Sequence, residues 1–141
     1  MSGIPNASDR SFESVEFGED LPEIAPDVSL DNVRLFAQAS KMIADRFLDH
    51  EAARAAGLPG AIVPGIMSQG ILVGLIHRWA PNAEVLSVDT IFRAPLIVDS
   101  KPTASGVVTD IDEEAGIIEL DLTLKNEKGE TPVVGTARIR L

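Results

Sequence analysis

Ile66-Met67-Ser68-Gln69-Gly70-Ile71-Leu72-Val73-Gly74-Leu75-Ile76-His77-Arg78-Trp79 is the stretch around which the rest of the chain must be arranged. Its apolar side chains, Ile66, Met67, Ile71, Leu72, Val73, Leu75, Ile76 and Trp79, are spread around most of a helical circumference. A helix of that kind has no wet face of useful width, so residues 66–79 are predicted to form a buried central helix. Ser68, Gln69, His77 and Arg78 interrupt the apolar run, which is too short to cross a bilayer. The segment before it, Leu58-Pro59-Gly60-Ala61-Ile62-Val63-Pro64-Gly65, carries proline and glycine at both ends and reads as a loop.

On the C-terminal side the period changes from helical to two. Ile118, Leu120, Leu122 and Leu124 alternate with Glu119, Asp121, Thr123 and Lys125, the pattern of a strand with one wet face. Val133, Gly135, Ala137, Ile139 and Leu141 alternate in the same way, and Gly129 marks the turn between the two strands. A turn at Asp112–Gly116 leads back to a strand over 102–110, and residues 85–95 supply one more. On the N-terminal side, residues 1–28 read as an extended acidic arm with one short strand, restricted by Pro22 and Pro26. Ser29 can cap a helix whose buried stripe is expected at Leu30, Val33, Leu35, Phe36 and Ala39. Residues 41–48 show no clear period, after which Asp49 can cap an alanine-rich helix, residues 51–56, that Gly57 stops. Helices followed by antiparallel strands in 84–141 make an α+β domain.

Composition bounds the function. The 141 residues, 45% of them hydrophobic, suit one domain spanning 1–141 with its own core. There is no cysteine, which excludes disulfides, thiolate nucleophiles and iron–sulfur clusters. With 22 acidic against 12 basic residues the formal charge is −10, so nucleic acid is a poor partner. Five Phe, one Trp and no Tyr leave little for stacking platforms, and two His make a metal site improbable. Neither a secretory signal nor a membrane span is read in the sequence, and a soluble cytoplasmic protein is the expectation.

A helix apolar nearly all round calls for a curved antiparallel sheet wrapped about it, the arrangement known as the hotdog fold. Three segments then resemble one group within it, the MaoC-like hydratases and dehydratases, which include the (R)-specific enoyl-CoA hydratases. Phe12-Glu13-Ser14-Val15-Glu16-Phe17-Gly18-Glu19-Asp20-Leu21-Pro22 is similar to that family's opening arm. Ala53-Arg54-Ala55-Ala56-Gly57-Leu58-Pro59-Gly60-Ala61-Ile62-Val63-Pro64-Gly65-Ile66-Met67-Ser68 resembles its loop into the central helix. Val88-Asp89-Thr90-Ile91-Phe92-Arg93-Ala94-Pro95 resembles the strand it ends with an Arg-Ala-Pro turn.

The resemblance implies thioester chemistry, the reversible addition of water across a 2-enoyl thioester of CoA or of an acyl carrier. It implies no cofactor beyond that thioester, and a homodimer, or a heteromer with an active hotdog subunit. In the family an Asp and a His five positions apart, in Asp-x-Asn-Pro-hydrophobic-His, handle water and proton. A backbone N–H at the start of the central helix polarises the thioester carbonyl. Here the ungapped register puts Met42 at the Asp and Phe47 at the His, two side chains without useful acid–base strength, and Pro64 replaces the usual loop His. The alternative is a displaced pair, Asp45 and His50, which keeps the five-residue spacing but needs a compensated three-residue shift. Against it stands the plainer reading in which Asp49 caps a helix and His50 is its exposed first residue. The substrate-binding candidates are Gly65, Ile66, Ser68 and Arg93 together with Met42 and Phe47, with Arg54 and Arg78 as further cations for CoA phosphates. His77 reads as a helix C-terminal charge. Three functions stay open: an active hydratase or dehydratase, an acyl-thioester binder lacking the proton-transfer pair, and a thioesterase that would need Asp45 or Asp49 at the helix start.

Overall fold

In the computed structural model, which describes residues 9–141, the predicted central helix is α4, Gly65–Trp79. The first part of the expected arm, residues 1–8, lies outside the described residues. A five-stranded antiparallel sheet wraps the helix: β1 Asp20–Ile24, β2 Glu84–Phe92, β3 Thr103–Asp112, β4 Ile117–Lys125 and β5 Val133–Arg140. Their order across the sheet is β1-β3-β4-β5-β2, and α4 packs against all five. This is the hotdog arrangement that the circumference of the helix demanded.

The alternation of β4 and β5 sets which face meets the helix. Ile118, Leu120, Leu122 and Leu124 of β4 are buried, as are Val133, Gly135, Ala137 and Ile139 of β5. They close on Met67, Leu72, Leu75, Ile76 and Trp79 of α4, and truncating one such leucine to alanine costs about 2–5 kcal/mol. The sheet must curve to follow a cylinder. Its register slips between Val85 and Ser87 in the β2–β5 pair and between Val108 and Asp110 in the β3–β4 pair, irregularities that bend and twist a ladder. Gly135 fits closely against the neighbouring strand, because a β-carbon there would stand 3.1 Å from the Asp89 carbonyl of β2, with Leu72 of α4 in ordinary contact at 3.5 Å.

Three shorter helices precede α4. In α1, Leu30–Ser40, the Ser29 hydroxyl accepts from the Asn32 N–H as expected of a cap. The buried stripe differs from the expectation: Val33 and Ala37 are buried, whereas Leu35 is 64% exposed and Ala39 faces water. The helix is covered on one side only, and that side runs through Val33 and Ala37. The stretch without a readable period contains α2, Asp45–Leu48, a single turn anchored by the buried Phe47. Asp49 then caps α3, His50–Ala55, through the Glu51 and Ala52 N–H groups, and Gly57 ends it at a φ of 94°. The strand expected over 85–95 stops at Phe92. Beyond it the Arg93 and Ala94 N–H groups turn to the Pro132 carbonyl, and Pro95 has no N–H with which to extend the ladder.

The arm is tied down at the far end of α4. Arg10 lies over the Trp79 ring at 4.6 Å and pairs with Glu19, whose carboxylate also accepts from the Trp79 indole at 3.0 Å. Among the described residues no helix is long and apolar enough to cross a membrane.

Candidate functional site

The first turn of a helix leaves backbone N–H groups without acceptors, and the way α4 begins determines what happens to them. Pro64 occupies the cap position and offers no side-chain oxygen. Its carbonyl accepts from the Met67 and Ser68 N–H groups at 3.0 and 3.1 Å, while those of Gly65 and Ile66 have no acceptor among the described residues. Beside this turn lies a cavity of about 340 Å³. One wall is Ile62, Val63 and Gly65, the other runs from Phe92 through Arg93 to Leu96, and Ser68 and Val133 complete it. The Phe92 ring sits over Gly65, where a β-carbon would stand 3.1 Å from the nearest ring atom, so a larger residue would push the ring outward by a few tenths of an ångström.

Ser68 is the one polar residue buried among the described ones, at 1% exposure, and its hydroxyl has no hydrogen-bond partner among them. A buried hydroxyl left unpaired costs about 1–3 kcal/mol, so it marks a place where a ligand atom would restore the bond. Gly65 and Ser68, which carry a free N–H and a free hydroxyl, line a cavity otherwise apolar except for Arg93, and the free Ile66 N–H belongs to the same turn. That set suits an electron-rich oxygen such as a thioester carbonyl, helped by the positive end of α4. The lining contains no carboxylate and no imidazole, so it offers no group that exchanges protons near neutral pH.

The other expected residues lie elsewhere. Ile66 is 52% exposed and does not line the cavity. Phe47 is buried in the core with the Arg46 guanidinium over its ring at 4.5 Å, and Met42 packs against the same core; neither lines the cavity. Asp45 is exposed at the start of α2, and its carboxylate has no hydrogen bond among the described residues.

His50 does not pair with Asp45, nor is it the exposed helix residue of the plainer reading. It is half-buried and used at both nitrogens: Nδ1 accepts from the Ala61 N–H at 3.0 Å, and Nε2 is 2.8 Å from Asp99 Oδ2. Because a backbone N–H can only donate, Nδ1 holds the lone pair and Nε2 carries the hydrogen given to Asp99. An imidazole so engaged has no lone pair left to activate water. The Asp99 carboxyl is held below the usual carboxylate range, first by His50 and then by the Leu30 N–H, which donates to Oδ1 at 2.8 Å.

Asp99 is the residue that sequence reasoning missed. Its local signal was a turn: its φ is 68°, a left-handed conformation that Asp tolerates better than most residues. Nothing local announces a partner 49 positions away. His77, read as a helix-end charge, is exposed with Nε2 3.2 Å from the Ala83 carbonyl.

No family model and no curated relative matches the chain. Solved structures do. The chain is similar to the (R)-hydratase from A. caviae involved in PHA biosynthesis, at 24% identity and a TM-score of 0.86, over 92% of this chain and 98% of that one. It is similar to a MaoC-like dehydratase at 23% identity and a TM-score of 0.86, over 95% of this chain and 43% of that one. A chain of the ChsH1-ChsH2 complex from Mycobacterium tuberculosis matches at 23% identity and a TM-score of 0.82, over 90% of this chain and 98% of that one. Likeness at these identities establishes the hotdog fold, and its structural neighbours are (R)-hydratases and MaoC-like dehydratases.

Proposed function

We propose that this chain is a hotdog protein of the hydratase/dehydratase type that binds acyl thioesters of CoA or of an acyl carrier, and that it lacks a proton-transfer pair of its own. The observation carrying this reading is the buried, unpartnered Ser68 hydroxyl beside the free Gly65 and Ile66 N–H groups, in a cavity without acid or base. In this reading the thioester carbonyl accepts from those groups, the acyl chain lies among Val63, Leu96 and Val133, and Arg93 reaches toward a CoA phosphate. Arg93 has no carboxylate partner among the described residues, so its charge is available for that role. Hydration by Asp45 and His50 draws less support, because the His50 ring is already engaged at both nitrogens. A thioesterase draws less as well, since it needs a carboxylate at the cavity.

The outer edge of β2 supports assembly with a second hotdog subunit. β2 pairs with β5 on one side only and exposes Leu86, Ile91 and Phe92, an edge that invites another strand. A second copy of this chain, or a partner that carries the missing pair, would pair there. Proteins with the same fold include the ChsH1-ChsH2 complex, named for two different chains.

Incubation with crotonyl-CoA tests the reading, with enoyl absorbance followed alongside calorimetric titration with butyryl-CoA. Saturable binding with constant absorbance is the expected result. Loss of absorbance that Asp45→Asn or His50→Asn abolishes would establish the displaced pair instead, and release of free thiol would establish a thioesterase.

A further inference from the structure

His50 joins the two chain segments that run on from the walls of the Ser68 cavity. The loop wall, Ile62 and Val63, is preceded by Ala61, and the facing wall ends at Leu96, beyond which the chain runs outside the cavity through Ile97 and Val98 to Asp99. The two run antiparallel, with the Val63 N–H donating to Leu96 at 2.8 Å, Val98 to Ala61 at 2.9 Å, and a bridge at Ile62 and Ile97. The His50 ring stands across their ends, accepting from Ala61 on one segment and donating to Asp99 on the other. Contact with the loop is tight enough that a β-carbon on Gly60 would stand 2.9 Å from His50 Nδ1. Asp99 extends the clasp, since its other oxygen caps α1 at Leu30 and its N–H donates to Val28.

We propose that His50 is a positioning residue for the cavity at the start of α4, and that protonating its Nδ1 frees the Ala61 N–H and loosens that end of the loop while tightening the hold on Asp99. The two halves respond oppositely for a simple reason. A protonated Nδ1 becomes a donor facing the Ala61 N–H, another donor, so that bond is lost. The same proton turns the Nε2–Asp99 hydrogen bond into a full ion pair. Several charges surround the ring and Asp99. Asp49 and Glu51 lie beside His50 in the chain, and Arg54 on the same helix donates to the Pro59 carbonyl at 3.2 Å. Arg34 on α1 lies near Asp99 and donates to Leu48, while Asp27 opposes Asp99.

The ring and amide arms of the test are independent of the proposed function; only the ligand arm rests on it. Nitrogen-15 spectra of the imidazoles at about pH 8 should show His50 as the Nε2–H form, with exposed His77 as the internal comparison. As pH falls to about 5, the Ala61 amide should shift with the same midpoint as the ring. Its hydrogen exchange, corrected for intrinsic pH dependence, should rise about five- to tenfold relative to Leu124, the loss of one hydrogen bond. His50→Asn places a non-titrating acceptor near Nδ1 and should hold the Ala61 amide steady across the same range. In the ligand arm, butyryl-CoA affinity should fall about three- to tenfold between those pH values in the parent and not in His50→Asn, beyond any change common to both. A tautomer mixture at about pH 8, or an Ala61 amide indifferent to the ring's titration, overturns the proposal. Absence of butyryl-CoA binding at every pH defeats the proposed function alone, and the spectra still decide on the clasp.

Discussion

The loop Leu58–Gly65 has very different chemistry at its two ends. At the His50 end stand an imidazole, a carboxylate and an aligned hydrogen bond between them, yet every lone pair and hydrogen of the ring is spoken for. At the Gly65 end stand two N–H groups and a hydroxyl with nothing to bond, and no titratable group lines the cavity except Arg93. A histidine beside an aspartate is therefore not evidence of catalysis here; it is a fastening. The site is marked by polar groups left unsatisfied, since a folded chain leaves such groups unpaired at a cost.

If the two ends are separate in this way, stability and ligand affinity should separate with them. The largest effect should come from Phe47→Ala. Phe47 is 6% exposed in the core, and its truncation should cost about 3–5 kcal/mol in chemical denaturation. Its butyryl-CoA affinity, measured where the variant is folded, should stay near the parent value because Phe47 does not line the cavity. Ser68→Ala should do the opposite. It removes a hydroxyl with no internal partner, so the denaturation midpoint should hold or rise slightly, while butyryl-CoA binding weakens about fivefold to tenfold. A Ser68→Ala protein that loses stability and keeps its affinity would erase the contrast.

A smaller effect belongs to neither end and serves as a control. Burial alone would raise the Glu19 carboxyl, but hydrogen bonds from Arg10, the Trp79 indole and the Glu16 N–H outweigh it, and the group is held below its ordinary value. A carboxyl depressed in the folded state contributes stability that is present above its unfolded pKa and lost as pH falls through the folded one. Acid titration below about pH 4.5 should therefore loosen the arm, seen in the fluorescence of Trp79, the single tryptophan. Glu19→Gln should flatten that part of the curve and leave the His50 clasp alone.

The contrast also explains what could be read from the sequence. The helix at 66–79 and the alternation through 118–124 and 133–141 carry their burial in their own periodicity, and the sheet wraps the helix as they require. Caps at Ser29 and Asp49 are local as well, each acting within three residues. Leu35 and Ala39 misled because a helix covered on one side buries a narrower stripe than its apolar residues suggest. His50 misled more seriously: its spacing from Asp45 matched a family pattern, whereas its actual partners, Ala61 and Asp99, lie 11 and 49 positions away. Long-range pairing of that sort leaves no periodic trace. Ser68 and Gly65 were legible as positions but not as unsatisfied groups, which only packing reveals.

The central claim, that ligand enters at the start of α4 and not at the histidine, is tested most directly by titrating butyryl-CoA into nitrogen-15-labelled protein and following the amides. The account predicts that the largest shifts fall on Gly65, Ile66 and Ser68, with smaller ones at the His50 ring. Shifts centred on Asp45 and His50, with Gly65 to Ser68 unchanged, would contradict it.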